Sequence, residues 1–586
     1  MRTGKPSGQA VAEGPRRTSR RVSALALGLV AIPLAVEMAL TWTGRYIYQA
    51  ADPALIEVAT RRAVHLNQLL GPYDRFGWSH PGPIYFYILS VAYRVLGPGG
   101  AAERVGELGI IALSCIGLVA VVMRRAGSTA GLWAAGCAAL LCLALGPSLL
   151  RYAWNPDVVV LPMLALLVLA AAAATGSGLA LVGAALVATF CVQTDVSSGP
   201  LAVWAMIVGV AGLVAARVLR RPPPRPSPRP RRRAWAVGGV GLVVLVLAWV
   251  PPLVQQAGGP GPGNLGVIWN FFTSPHAHPS AGAAFRAVGS ANALVLGGRR
   301  TLLARPSRVS LPGLVLAAVV LVAVAAVVLG WRRRQPLAVA LGVLSSTGLG
   351  VSVLAASRIV GPISGYELTW ATTVSVTALL GLGVGLFGQP GLPAPLRVGP
   401  VPVRPAALRV GPVPVGPVPV GPAALRVGPP PVGPPPVGPA ALRVGPAALL
   451  VGLAALGVST ALLFDVAALG SPGTLSDPSV ATASSLVQSH LPSHRQPVLV
   501  DLGPPTPDDF ALGAGIVDRL DGLGYRVRVP PAWRTQFGAS LVAGLGGDPT
   551  IAFTLVPVGS PSPNGATLLG VVIHGSPIAI WRSPPG

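Results

Sequence analysis

Long apolar runs separated by short polar, arginine-bearing segments dominate the chain, and this pattern predicts a polytopic membrane protein. A helix needs about 20 apolar residues to cross a bilayer. Runs at 22–43, 104–123, 128–148, 157–175, 177–193, 199–217, 234–252, 311–330, 336–356, 366–387 and 446–464 meet that length, which makes about eleven spans. The first run follows Arg16, Arg17, Arg20 and Arg21, is long for a signal-peptide core and ends without a small-residue cleavage site. It is therefore expected to stay in place as the first span.

Arginine placement orients these spans. With residues 1–21 in the cytoplasm, Arg124–Arg125, the stretch from Arg217 to Arg233, and Arg332 to Arg334 all fall on the cytoplasmic side, as the positive-inside bias requires. The same alternation puts 44–103, 149–156, 194–198, 253–310, 357–365 and everything after about 465 outside. Within the transmembrane domain (22–387), Arg220 to Arg233 alternates Arg and Pro, which suits an extended segment near anionic lipid. Residues 388–445 form a cytoplasmic linker, in which Pro-Ala-Ala-Leu-Arg-Val-Gly-Pro starts at Pro405, Pro422 and Pro439. The repeats lack the apolar face a solenoid buries, and frequent prolines favour polyproline II. Beyond the last span (446–464), residues 465–586 turn soluble in character. Strands are expected at Pro497–Gly503 and Tyr525–Val529 and near Thr550–Val556 and Leu568–His574, with a helix at Asp508–Leu523. The predicted fold class is thus an all-α polytopic membrane protein, N-terminus in and C-terminus out, carrying a small α/β extracytoplasmic domain.

Composition narrows the function classes. At 52% hydrophobic and 10% charged residues, no soluble fold could hide the apolar surface. The net charge of +25 does not imply nucleic acid, because the basic residues bunch between apolar runs instead of lining a face with aromatic and polar partners. Lys5 is the only lysine, and Ala, Gly, Pro and Val dominate, as GC-rich codons produce, so a high-GC bacterial source is expected. Cys115, Cys137, Cys142 and Cys191 lie in or beside apolar runs and read as small hydrophobes.

Candidate chemistry concentrates in the outer segments. The first outer loop carries Asp52 and Glu57. An acid there could serve as a base or a metal ligand, or Asp52-Pro53 could simply start a helix. Gly71 to Leu89 packs aromatics, Arg75 and His80 around three prolines, a composition suited to a helix lying in the interface. Arg151-Tyr152-Ala153-Trp154-Asn155-Pro156-Asp157 brings a cation, an amide and an acid to the same surface, or is only the turn opening the next helix. Asp195 faces the same cavity or caps a helix, and the cap is the expected role. His276 and His278 lack a visible third metal ligand and read as loop histidines. Arg358, a cation on the translocated side, calls for a partner or ligand, and an ion pair with Glu367 is one such partner. In the outer domain no Gly-x-Ser-x-Gly elbow or phosphate-binding glycine loop appears.

An acid soon after the first span, followed by His80-Pro81-Gly82-Pro83-Ile84-Tyr85-Phe86-Tyr87, Tyr93-Arg94-Val95-Leu96-Gly97 and Glu103-Arg104, resembles the GT-C glycosyltransferases. The likeness is to the polyprenyl-phosphate mannosyltransferase and aminoarabinose transferase branch. It covers about residues 22–125 in detail and the remainder by topology and the outer C-terminal domain. The resemblance implies inverting transfer from a polyprenyl-phosphate sugar, within the cytoplasmic membrane, to a glycan, lipid or protein acceptor outside it. Asp52 would be general base or acceptor orienter, with Glu57 secondary. Arg75, His80, Arg151 and Arg358 would face the lipid phosphate, and Tyr85, Asn155 and Asp157 the substrate. Because Pro53 follows Asp52, the family's close second acid is missing, no metal ligand is assigned, and a divalent cation (Mg2+ or Mn2+) stays an open cofactor. Two other classes share the pattern. A transporter or flippase of lipid-linked sugars would want midplane charges, for which Glu37 is the clear candidate. A non-catalytic envelope-assembly protein would keep the fold alone.

Overall fold

The computed structural model describes residues 14–42, 46–219, 228–258, 261–296, 311–389, 446–468, 476–491, 496–503, 506–544 and 551–583. The first span is α1 (Gly14–Thr41), and two outer helices follow it, α2 (Ala51–Val64) and α3 (Ile84–Leu96). Next come α4 (Gly100–Ala126) and α5 (Ser128–Leu145), broken apart by Gly127 at φ +92°, a left-handed turn that glycine adopts without a Cβ clash. The single turns α6 (Pro147–Leu150) and α7 (Asn155–Val158) lead into α8 (Val160–Ala174), α9 (Gly178–Thr194), α10 (Gly199–Leu219) and α11 (Pro228–Ala257). The expected outer loop at 253–310 holds two helices of its own, α12 (Asn264–Thr273) and α13 (Ala281–Asn292). The remaining bundle helices are α14 (Pro312–Arg332), α15 (Pro336–Ala356), α16 (Thr372–Phe387) and α17 (Pro446–Ala468).

Each of the eleven anticipated apolar runs is helical. Among the described residues, nine helices are long and apolar enough to cross a membrane, and α9 and a stretch of α17 are shorter apolar helices. The chain is thus a multi-pass membrane protein. Its bundle core is almost entirely aliphatic, and α8 is buried around its circumference, from Val160 and Leu161 to Ala171 and Ala172. A helix apolar on all sides belongs at the centre of such a bundle. From residue 390 on, the repeat linker falls outside the described residues.

Two expected elements differ. The Arg220 to Arg233 stretch, expected to be extended, is helical from Pro228, where α11 begins, and residues 220–227 lie outside the described residues. The segment Gly71–Leu89 is not a single interfacial helix, and α3 begins only at Ile84. Pro81 and Pro83 lack the N–H groups a helix interior needs, and residues before them form a small hairpin instead. There Tyr73 bridges Ser79, Asp74 N–H donates to Trp78 O (2.7 Å), and Gly77 turns at φ +85°.

The C-terminal domain contains α18 (Pro478–Gln488), β1 (Pro497–Asp501), α19 (Pro507–Gly522), β2 (Arg526–Arg528), α20 (Arg534–Phe537), β3 (Ile551–Pro557), β4 (Thr567–His574) and β5 (Ser576–Ser583). The sheet order is β2-β1-β3-β5-β4, with β1 parallel to β2 and β3, and the β4–β5 hairpin added antiparallel. Period-2 burial of Val498 and Val500, and of Ile551, Phe553 and Leu555, presents one face to Leu512, Ile516 and Leu520 of α19. The four anticipated strands and the anticipated helix are present, and α18, α20 and β5 are additions.

Ala54, Leu55 and Val58 of α2 are buried within this domain's core, not the bundle's. Burying a leucine side chain is worth about 1.5–3 kcal/mol, and because Ile56, Ala59 and Ala63 on its other face belong to the bundle core, α2 joins the outer domain to the bundle. The first outer loop and the C-terminal domain consequently lie on the same side of the bundle.

Candidate active site

Asp52 lies in the first turn of α2, but the N-cap is Ala50 and no side chain caps this helix. Its carboxylate instead accepts hydrogen bonds from the Tyr73 hydroxyl and the Trp154 indole N–H. The residue preceding each end of the Asp52–Trp154 pair is a left-handed alanine, Ala51 at φ +52° and Ala153 at φ +53°. For a residue with a Cβ this conformation costs about 1–2 kcal/mol. Ala153 is held there by its N–H donating to Glu107 Oε2 of α4 (2.6 Å). Such strain persists where surrounding structure enforces it, often around functional groups.

Asp52 opens onto a cavity of about 600 Å³ at the outer ends of the helices. Away from that opening it is enclosed by protein, and desolvation raises its pKa despite the two donors, which favour the charged form. The cavity gathers five of the residues singled out from sequence: Asp52, Arg75, His80, Asn155 and Arg358. Phe271, Phe272, Val351 and Leu354 contribute an apolar wall. Behind Asp52, a crevice of about 40 Å³ reaches Arg62 and Gln536 at the seam with the C-terminal domain.

His80 is buried, and its Nδ1 accepts the Val196 N–H (3.0 Å). Burial pushes its pKa down to about 3. The ring is therefore neutral with its proton on Nε2, a hydrogen-bond donor and not the cation the sequence led one to expect. Asp195 caps the turn Val196–Ser198, accepting from Ser197 N (3.0 Å) and Ser197 Oγ (2.8 Å), and at the same time lines the cavity. Burial pushes Asp195 up to about 7 and Asp74 up to about 6.

Arg75 donates to Glu367 Oε1 (2.8 Å) and Ser364 Oγ (3.3 Å), and its guanidinium lies 4.8 Å from the Phe76 ring centroid. Glu367 is therefore the partner of Arg75, where the sequence suggested Arg358. The Ser364–Glu367 capping box fixes the acid on the near side of its helix. Arg358 stands exposed at the cavity rim and makes no ion pair among the described residues. Trp78 Nε1, buried at the cavity wall, has no hydrogen-bond partner among the described residues.

Four other sequence candidates lie elsewhere. Glu57 faces away from the cavity and bonds Gln49 Nε2 (2.8 Å), Arg61 Nη1 (3.0 Å) and Tyr93 Oη (3.0 Å). Tyr85 is fully buried in the bundle against Phe86 and Phe190. Arg151 pairs with Glu37 inside the bundle. That pairing supplies the intramembrane acid with a counter-charge. Asp157 is buried in α7 behind the cavity wall, while its neighbours Asn155 and Pro156 reach it. Among the described residues no three His, Cys, Asp or Glu side chains converge as metal ligands. His276 and His278 instead bond the backbone oxygens of Phe271 (2.9 Å) and Ile359 (3.1 Å). Sequence reasoning did not single out Tyr73 or Trp154 for Asp52, and their only signal was membership of aromatic-rich outer loops.

No protein-family profile matches the chain, and no curated protein does. Among solved structures the chain is similar to ArnT from Cupriavidus metallidurans bound to undecaprenyl phosphate. That similarity has 14% identity and a TM-score of 0.48, and covers 97% of this chain and 98% of the other. The apo state of the same protein gives 11% identity and a TM-score of 0.38, over 97% and 99%.

Proposed function

We propose that this protein is a membrane glycosyltransferase that takes a sugar from a polyprenyl-phosphate donor and passes it to an acceptor hydroxyl outside the cytoplasmic membrane. One observation carries the reading. A desolvated carboxylate, Asp52, is aimed by Tyr73 and Trp154 into a cavity that has an apolar wall on the bundle side and two guanidinium groups, Arg75 and Arg358, at its rim.

Each part suits a step of the transfer. The apolar wall of Phe271, Phe272 and Leu354 suits the first isoprene units of a lipid, and the guanidinium groups suit its phosphate. Asp52 takes the proton of the acceptor hydroxyl as its oxygen bonds the anomeric carbon. The bond from that carbon to the phosphate oxygen breaks, and the phosphate leaves with the electron pair. A raised carboxylate pKa makes a stronger base, and the charge growing on the phosphate meets Arg75, Arg358 and the neutral donors His80 Nε2–H and Trp78 Nε1–H. The acceptor remains one of three classes: glycan, lipid or protein.

Transfer of radiolabelled sugar from a panel of polyprenyl-phosphate donors tests the reading, in membranes with matched amounts of wild type and Asp52→Asn. The expected result is label transfer that falls about 10²–10⁴-fold in the variant, the usual worth of a general base. No transfer from any donor by the wild type would overturn the reading.

A further inference from the structure

Asp52 is a residue of the first outer loop, but part of what holds it belongs to the far end of the sequence. Its helix shares the C-terminal core through Ala54, Leu55 and Val58. The loop before it is tied to the same domain, with Asp477 N–H donating to Tyr48 O (2.8 Å), Tyr48 N–H donating to Ser476 Oγ (3.0 Å), and the Arg519 guanidinium 4.1 Å from the Tyr46 ring centroid.

Tyr73, which donates to Asp52, is held in the same way. Its backbone is fixed by the bridge to Ser79, but its ring is backed by Phe510, edge to face, with centroids 6.1 Å apart. Phe510 in turn stacks on Trp533 (5.3 Å, 14° between planes). It sits in the first turn of α19, which a reciprocal Thr506–Asp509 capping box makes rigid. Trp533, Phe510, Tyr73 and Asp52 thus form a continuous chain of contacts from the C-terminal domain to the proposed base.

We propose that Phe510 is a positioning residue: through it the C-terminal domain sets the Tyr73 hydroxyl on Asp52, and so completes the active site from outside the membrane domain. The importance attached to Asp52 rests on the function proposed above, whereas the contact chain does not. If the chain works as described, removing the backing ring weakens the Tyr73 hydrogen bond, and Asp52 holds its proton to higher pH.

The groups around Asp52 that could also move its titration are few. Besides Tyr73 and Trp154, the phenols of Tyr152 and Tyr366 feel its charge. Arg62 lines the crevice behind it. Asp74, Arg75, Asp195, Arg358 and Glu367 share the cavity in front. A substitution at Phe510 alters none of these chemically, so a shift shared with Tyr73→Phe reports the Tyr73 hydrogen bond.

The test reads protonation directly and needs no transfer activity. Full-length protein in lipid nanodiscs is treated with an apolar carbodiimide, which modifies protonated carboxyl groups, and the adduct on the Asp52 peptide is scored by mass spectrometry against pH. Tyr73→Phe is expected to raise the labelling midpoint by about one pH unit, the scale of one hydrogen bond to a charged group. Phe510→Ala is expected to raise it in the same direction, Phe510→Tyr to restore it, and Tyr73→Phe/Phe510→Ala to shift it no further than the larger single change. A wild-type midpoint in Phe510→Ala, or additive shifts in the double variant, would overturn the proposal. Should Phe510→Ala lose its thermal transition, Phe510→Leu takes its place under the same criteria. Absence of labelled-sugar transfer by the wild type, with the midpoints behaving as expected, would count against the proposed reaction and not against the positioning role.

Discussion

Asp52 and Glu57 lie five residues apart on one helix, and their surroundings are opposite. Asp52 receives only neutral donors, Tyr73 and Trp154, and opens onto a cavity. Glu57 is closed in, bonded to Gln49, Arg61 and Tyr93. Arg61 continues from there to Asp518 Oδ1 (2.5 Å) and Asp521 Oδ2 (2.9 Å) of the C-terminal domain. A carboxylate with no counter-charge, held desolvated beside open space, is poised to accept a proton. A carboxylate saturated by a shared arginine joins two parts of the chain. The comparison teaches that burial alone does not mark a functional acid, and that what matters is whether its remaining valence points at protein or at room for a substrate.

The sharpest way to break this division is on the Glu57 side. Arg61→Leu leaves Glu57 and Asp518 buried, and Asp521 half-buried, without their cation, and a loss of about 3–5 kcal/mol is expected. It would be read as a lowered melting temperature of the purified protein. Adding Asp518→Asn and Asp521→Asn should recover much of that loss, and failure to do so would show that the arginine acts otherwise. Next in size is Gly515→Val, because any Cβ there meets the backbone oxygen of Gln49. A cost of about 1–3 kcal/mol is expected from the forced separation of α19 and the loop before Asp52, with a fall in transfer that Gly515→Ala shares to a lesser degree.

The cavity side carries a pH signature. Asp195 holds its proton up to about 7 when folded, against an ordinary value of 3.8, and Asp74 up to about 6. Through these two carboxyls the folded state binds more protons than the unfolded one, so their contribution to stability falls as pH rises from about 4 to about 7, while His80, pushed down to about 3, contributes in the opposite sense up to its ordinary value of 6.5. Asp195→Asn should flatten the upper part of that slope in melting temperatures taken across the range, and an unchanged slope would contradict the assignment. The smallest effect expected is stabilisation. Ala153→Gly relieves a left-handed alanine, and a gain of up to about 1 kcal/mol is expected in thermal denaturation, offset in part by greater freedom of the unfolded chain.

Much of the architecture was legible because its signals are local. Apolar length alone located all eleven bundle helices, and period-2 alternation located four of the five strands. Pairings that close over long sequence distance were not legible. Nothing near Arg61 points to Asp518, and nothing in the C-terminal domain points to Tyr73. The expected Arg358–Glu367 pair looked reasonable because the two are nearly adjacent in sequence. Glu367 faces Arg75 instead, which only the hairpin at 73–79 makes reachable. One clue was available and unused: at 100° per residue, positions 52 and 57 point about 140° apart on a helix, so the two acids could not serve one site. His80 misled in a different way, since its charge depends on burial and on the Val196 N–H, neither of which sequence displays.

The measurement that bears most directly on the central claim compares Asp52→Asn with Glu57→Gln in the same transfer assay, at matched expression and with melting temperatures recorded for both. The account predicts that Asp52→Asn loses about 10²–10⁴-fold of transfer while remaining folded, and that Glu57→Gln keeps transfer but melts earlier. Equal transfer by wild type and Asp52→Asn, or loss of transfer in a stably folded Glu57→Gln, would contradict it.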